Sequence, residues 1–343
     1  MQSKGILVAW LDNSRIIAIF AVVFLHVAAY AVIGSDIGTA SWWVGNLYDS
    51  LVRWCIPVFV MISGALLLDP SKKEDLTTFY IKRFSRILIP IIFWSVFFLL
   101  WATLKAAAKD ETILIVDIVK RLLSGQPYLH LWFLYMIIML YLFTPFFRKI
   151  IANSSRREIT VLVVFTFVLS ALNALAVKFG LVESKLFINL FLSYIPYFFL
   201  GYLVRTSASD YPRRILWGIF GASVILTAVG YYAVARNIGM DAGQYFYSYL
   251  SITVIPMSVS VMYLLKLWTK PIGSERLTKK VSALTLGVYL IHPIFLEIIQ
   301  YAGYGPLAFN QAISIPFITV IVFSLSLSGA WVINKMPYIK LVI

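Results

Sequence analysis

The stretch IIAIFAVVFLHVAAYAVIG, residues 16–34, carries no formal charge. As a helix rising 1.5 Å per residue it covers roughly 28 Å, close to the hydrocarbon thickness of about 30 Å. Lipid offers the backbone no hydrogen-bond partner, so an apolar run of this length is satisfied only as a helix. Strands of a membrane barrel are shorter and alternate polar with apolar residues, which this run does not. Ala29-Tyr30-Ala31 has the small-residue pattern of a leader cleavage site. The run nevertheless spans a full bilayer, holds His26 in mid-stretch and is followed by nine similar runs, so a retained first helix is expected.

Those further runs lie near residues 50–69, 87–104, 128–147, 160–177, 187–204, 215–235, 249–268, 281–299 and 312–334. With 61% hydrophobic and 13% charged residues, the chain suits lipid as its main solvent. Segment 105–127 alternates Ile, Leu and Val with Asp117, Lys120 and Arg121, the pattern of a short amphipathic surface helix or of an ordered loop. No internal period, low-complexity tract or appended soluble domain is visible, so residues 1–343 are expected to form one membrane domain.

The formal charge of +14 is explained by topology, which leaves no need for a nucleic-acid partner. Of 29 Lys and Arg residues, 21 fall in segments on the side of the N-terminus and eight in the opposite loops and helix ends. The positive-inside bias therefore predicts an all-α polytopic membrane helix bundle of about ten transmembrane helices with both termini cytoplasmic. Cys55 is the one cysteine, so no intrachain disulfide forms, and its apolar setting reads as packing.

An ionisable side chain at membrane depth needs a partner, a hydrated cavity or a job. All three histidines, His26, His130 and His292, fall within expected spans or at their ends. Arg15 and His26 are three helical turns plus roughly 20° apart, so they share a face, with the imidazole roughly 16 Å deeper than the guanidinium. That layout suits passing a group inward from the cytoplasm; a snorkelling anchor and a satisfied core histidine are the plainer alternative. Arg83 and Arg86 are spaced to point the same way and clamp a phosphate, though the positive-inside rule alone also accounts for them. Arg53, near the outer end of the second span and followed by Pro57, Ser63 and Gly64, reads as an outer-side ligand contact. His130 suits an interfacial residue equally well, and His292, which follows Tyr289 and precedes Pro293, suits a core histidine. No metal-binding, dinucleotide, P-loop or nucleophile-elbow pattern occurs, so no metal cofactor is expected.

Leu11-Asp12-Asn13-Ser14-Arg15, then Ala18 and Val22 to His26, are similar to an R-x10-H opening helix. Ile56-Pro57-Val58-Phe59 with Met61-Ile62-Ser63-Gly64, Lys82-Arg83-Phe84-Ser85-Arg86 through Pro90, and His130-Leu131-Trp132-Phe133-Leu134 continue the series. Tyr197-Phe198-Phe199-Leu200-Gly201 and Gly287-Val288-Tyr289-Leu290-Ile291-His292-Pro293 complete it. Six such pieces in order make the sequence resemble the membrane-bound acyltransferase 3 family of bacterial O-acyltransferases nearly end to end. Ile16 departs from the pattern, since many members carry glycine after the arginine. The short tail resembles stand-alone members, including those that acetylate enterobacterial common antigen or O-antigen.

The resemblance implies an O-acetyltransferase of polysaccharide biosynthesis in the bacterial inner (cytoplasmic) membrane. Its donor would be acetyl-CoA or another acyl-CoA from the cytoplasm, and its acceptor a hydroxyl of a lipid-linked or cell-surface glycan. It implies His26 and Arg15 as catalytic residues, with His26 either a general base or a covalent acyl carrier. Arg83 and Arg86 would bind the donor, and Arg53, Ser63, His130, Tyr289 and His292 the acceptor or a developing oxyanion. The competing class is an exporter of an organic acid or glycan intermediate, which ten helices with central ionisable residues would also suit. A third is a structural subunit of a glycan-assembly complex.

Overall fold

The first helix, α1 (Gln2–Ile33), runs without a break past both Arg15 and His26. It belongs to a computed structural model that describes residues 2–72, 74–179, 190–208 and 211–343, and among these every regular element is helical. Helix α1 packs against α2 (Ala40–Val52), α3 (Cys55–Leu67), α11 (Val254–Lys266), α12 (Glu275–Ala283), α13 (Thr285–Tyr301) and α14 (Gln311–Lys335), so its residues lie at the centre of the bundle. Around these stand α4 (Leu76–Ala107), α5 (Ile115–Leu123), α6 (Trp132–Ala152), α7 (Arg156–Lys178), α8 (Leu190–Thr206), α9 (Arg213–Asn237) and the single turn α10 (Met240–Gly243).

The expected count of ten spans is not reached on length and apolarity. Among the described residues seven helices are long and apolar enough to cross a membrane, or eight if the bent pair α12 and α13 is one span. Helix α11 has only 13 residues, because residues 249–253, expected to open that span, form turns and a bend. The expected span 187–204 begins within residues 180–189, which lie outside the described ones.

The second expected span is longer and broken. Ala40–Leu67 interrupts its helix at Arg53 and Trp54. Pro57 explains the position: its ring clashes with the carbonyl four residues back, that of Arg53, while a proline within the first turn of α3 is tolerated. The break turns α3 into a half-length helix whose first residue is Cys55 and whose last carbonyls need partners. Three cations supply them. Arg205 donates to Ala65 O (2.5 Å), Lys72 to Leu66 O (2.6 Å) and Arg148 Nε to Leu67 O (2.6 Å), which also places positive charge at the negative end of the helix dipole.

Capping fixes other ends. Asp75 accepts from Thr78 N (2.7 Å) at the start of α4, and Ser155 with Glu158 forms a reciprocal capping box on α7. Segment 115–123 is indeed a short helix, with no buried residue. On α7, Phe165 and Leu169 face outward, as a lipid-facing helix requires.

The Leu11–Arg15 segment ties α1 to the chain near its Arg15 end. Asn13 Nδ2 donates to Lys270 O (2.7 Å), its Oδ1 accepts from Ile272 N (3.2 Å), and Asp12 Oδ1 accepts from Ser282 Oγ (2.7 Å). These bonds hold α12 beside Arg15, so α13 rises alongside α1 and brings His292 to the level of His26.

Candidate active site

Three elements deliver the three histidines to one place. His26 comes from α1, His292 from α13, and His130 from the turn before α6. The ring centroids of His26 and His292 are 5.1 Å apart and those of His130 and His292 5.5 Å. His26 and His130 line a small cavity of about 30 Å³ together with Cys55, Trp132, Tyr249 and Tyr289. Ile56 and Val22 supply part of its apolar wall.

Hydrogen bonding defines what each ring can do. His292 Nδ1 lies 2.7 Å from Tyr289 O and 3.2 Å from Val288 O, and its Nε2 is buried without a partner. His130 is almost fully buried and neither of its ring nitrogens has a hydrogen bond; the Leu290 carbonyl lies near without meeting hydrogen-bond geometry. The Tyr289 hydroxyl donates to the His130 carbonyl, which fixes the turn that carries the imidazole. His26 is half-buried and makes no hydrogen bond among the described residues, so its ring faces the cavity free to act. Imidazole is the side chain best suited to taking and returning a proton near neutral pH. Among the described residues no group of three or more His, Cys, Asp or Glu side chains is arranged to hold a metal ion.

Arg53, expected to contact a ligand on the outer side, is held inside the bundle by neighbours of its own. Its guanidinium donates to Asp49 Oδ2 (2.6 Å) and to Tyr247 O (3.2 Å) and lies 3.9 Å from the Tyr247 ring centroid. Asp49 and Arg53 are one helical turn apart, a spacing visible in the sequence and overlooked there. The pair places a buried cation near His26.

Arg15 stands apart from the histidine cavity, half-buried and 3.4 Å from Asp12 Oδ1. Ser63 lies toward that end of α3, roughly 10 Å along the helix from Ile56. Its hydroxyl is 3.2 Å from that of Tyr141, which is within electrostatic range of both Arg15 and Arg83. Arg15, Ser63 and Arg83 therefore belong to one neighbourhood, and His26, His130, Tyr289 and His292 to another further along α1.

Arg83 and Arg86, expected to clamp a phosphate together, have different surroundings. Arg86 is exposed and has no ion pair or hydrogen bond among the described residues. Arg83 is half-buried, 3.9 Å from Glu74, with an unpartnered buried Nε. The guanidinium it does accompany is that of Arg148: the two lie 5.4 and 5.0 Å from the centroid of the same ring, Phe79. Arg148 is buried and has one NH2 group without a partner. In sequence it read only as one more positive-inside residue. Beside it, burial and then the Arg205 and Arg148 guanidiniums push the Lys72 amine below its usual range. Glu74 is engaged by Lys82 (3.0 Å).

At the opposite end, beyond the histidines, Glu297 accepts from Lys105 (2.9 Å), Trp101 (2.8 Å) and the Tyr128 hydroxyl. Tyr128 stacks on Phe98 with centroids 4.4 Å apart, and Phe98 meets His130 edge-on at 4.9 Å. This polar cluster closes the far side of the histidine group and was not anticipated.

A lipid-facing helical bundle that gathers its three imidazoles beside a small cavity, with guanidiniums toward one end, has a site suited to proton transfer at membrane depth. Residues 8–335 of 343 match the acyltransferase domain family, and the chain belongs to this family, acyltransferase 3. Its class is thus a multi-pass membrane acyltransferase. No curated protein and no solved structure matches the chain.

Proposed function

We propose that the protein is an O-acetyltransferase of the bacterial inner membrane. It moves the acyl group of cytoplasmic acyl-CoA to a hydroxyl of a lipid-linked or cell-surface glycan. The observation that carries this reading is the meeting of the chain's three histidines, two of them at one cavity: His26 with a free ring, His130 with both nitrogens unpartnered, and His292 packed against both.

With the N-terminus in the cytoplasm, Arg15, Arg83 and Arg86 stand at the donor side. Arg148 joins them, because its free NH2 group and the free Nε of Arg83 are buried donors that a phosphate oxygen would satisfy. The thioester then extends along α1 toward His26. His26 takes the proton of the acceptor hydroxyl as the new C–O bond forms. The thioester C–S bond breaks with its electron pair on sulfur, and the proton passes from His26 to that thiolate. Ser63 lies on the donor's route, Tyr289 and His130 line the acceptor's side, and His292 stands behind His26 and His130.

Purified protein in lipid, given acetyl-CoA labelled in the acetyl group and a glycan-lipid extract, is expected to transfer label to the glycan. Absence of label on glycan, lipid and protein overturns the reading in favour of export or a structural role. Mass spectrometry of surface polysaccharide from cells with and without the gene then gives the acyl mass and the sugar that bears it.

A further inference from the structure

The Nδ1 of His292 lies between two backbone carbonyls, those of Tyr289 (2.7 Å) and Val288 (3.2 Å). A carbonyl only accepts, so Nδ1 is the protonated nitrogen, and a neutral imidazole has just one N–H. Its Nε2 is therefore a bare lone pair. That atom is buried and has no partner, in a region where water is scarce and an unsatisfied acceptor is costly. Two other side chains within reach carry a free N–H. His26 has its centroid 5.1 Å away at a ring tilt of 40°, and His130 has its centroid 5.5 Å away with the ring nearly perpendicular. The Tyr289 hydroxyl is already given to the His130 carbonyl.

We propose that His292 is a positioning residue whose Nε2 accepts the N–H of His26, so that the remaining nitrogen of His26 presents its lone pair to the cavity. A small turn of the His26 ring completes the contact, and that ring is half-buried with no other hydrogen bond to lose. The arrangement is that of a Ser-His-Asp triad with a neutral imidazole in the place of the carboxylate. A carboxylate there would have to be ionised at membrane depth, whereas imidazole accepts a hydrogen bond uncharged. During transfer His292 keeps its own proton, and the His26–His292 bond strengthens while His26 is briefly an imidazolium. The α-helical backbone of α13 thus sets the tautomer of His292, and His292 sets that of His26.

The kinetic part of the test rests on the acyltransferase reading, while the spectroscopic part does not. In the full-length protein, 15N-labelled at histidine and held in lipid nanodiscs, His292 is expected in the Nδ1–H form with a scalar coupling from a His26 N–H to its Nε2. The His292 signals are assigned by their loss in His292→Gln. In turnover, His292→Gln, whose amide oxygen takes the place of Nε2, is expected to keep kcat within about 10-fold of wild type. His292→Leu should lower kcat by about 100-fold or more with the acceptor KM within about 3-fold, as expected for a misaimed base. An Nε2–H tautomer at His292, a coupling to His130 in place of His26, or equal loss in the Gln and Leu variants overturns the proposal. A protein that transfers no acyl group but shows the coupling refutes the acyltransferase reading alone. Should the Leu variant fail to fold, the wild-type spectrum still decides.

Discussion

Gly64 on α3 lies so close to the backbone of Phe198 on α8 that a Cβ built at Gly64 would sit 1.8 Å from the Phe198 carbonyl oxygen. The relation is reciprocal, since a Cβ at Gly201 would sit 1.9 Å from Met61 O. Two stretches that mark the family in sequence, Met61–Gly64 and Tyr197–Gly201, are thus the two halves of one helix crossing. Close backbone approach through small residues is how helices associate where lipid removes the hydrophobic drive.

Gly64→Ala and Gly201→Ala are expected to destabilise the protein severely, by at least about 1–3 kcal/mol, because the obstacle is backbone and not a flexible side chain. Gly218→Ala and Gly221→Ala, where nothing lies within 4 Å of the added methyl, serve as controls and should leave stability unchanged. Thermal unfolding in detergent, followed by tryptophan fluorescence, distinguishes the pairs.

His26→Ala and Arg15→Ala should each abolish glycan acetylation while membrane insertion and accumulation stay normal. Loss of a general base costs about 10²–10⁴-fold in rate. An active His26 variant would remove it from the site. For Arg15, which lies outside the cavity, the cause should be lost donor binding, read as failure of the purified variant to bind acyl-CoA.

Arg148→Gln should raise the KM for acyl-CoA by about 10-fold, equivalent to about 1.4 kcal/mol of lost binding. The same substitution also removes the donor to Leu67 O, so the melting temperature is measured alongside. Arg86→Gln, at an exposed guanidinium without partners among the described residues, should have the smaller effect on KM. The opposite ranking would restore the Arg83–Arg86 fork read from sequence.

Acid should loosen the end of the bundle where α3 stops. Burial would raise the Asp69 carboxyl, but the Ser71 hydroxyl and N–H and the Arg205 and Lys72 charges outweigh it and hold it below its usual range. Glu74 is likewise lowered, first by its bond from Lys82. A depressed carboxylate contributes stability that is complete above its unfolded pKa and lost as pH falls through its folded one. The melting temperature should therefore be flat from neutral pH down to about 5 and fall below about 4. Asp69→Asn should be less stable at neutral pH and show a shallower acid limb. A limb unchanged by Asp69→Asn would clear Asp69 of that role.

Membrane residence, helical class and the family were legible in the sequence. Backbone in lipid has only one local way to satisfy itself, so apolar run length translates directly into helix. The shared face of Arg15 and His26 was legible for the same reason, being a matter of helical period alone. What periodicity could not give was the break at Arg53, which depends on a proline ring meeting a carbonyl one turn away, or the shortening of α11. The site was legible in its residue types and not in its assembly. His130 and His292 read equally well as interfacial and core residues, because a histidine's role depends on which nitrogens find partners, and those partners come from other helices. Arg53 read as an outer-side ligand contact, and the Tyr247 carbonyl that joins Asp49 in holding it comes from a distant part of the chain. Arg148, Glu297 and Cys55 acquire meaning only from neighbours distant in the chain. The sequence by itself thus determined the solvent, the secondary structure and the chemical inventory. Tertiary structure decided which guanidinium accompanies Arg83 and which imidazole faces His26, since both are contacts between helices and no local rule encodes them.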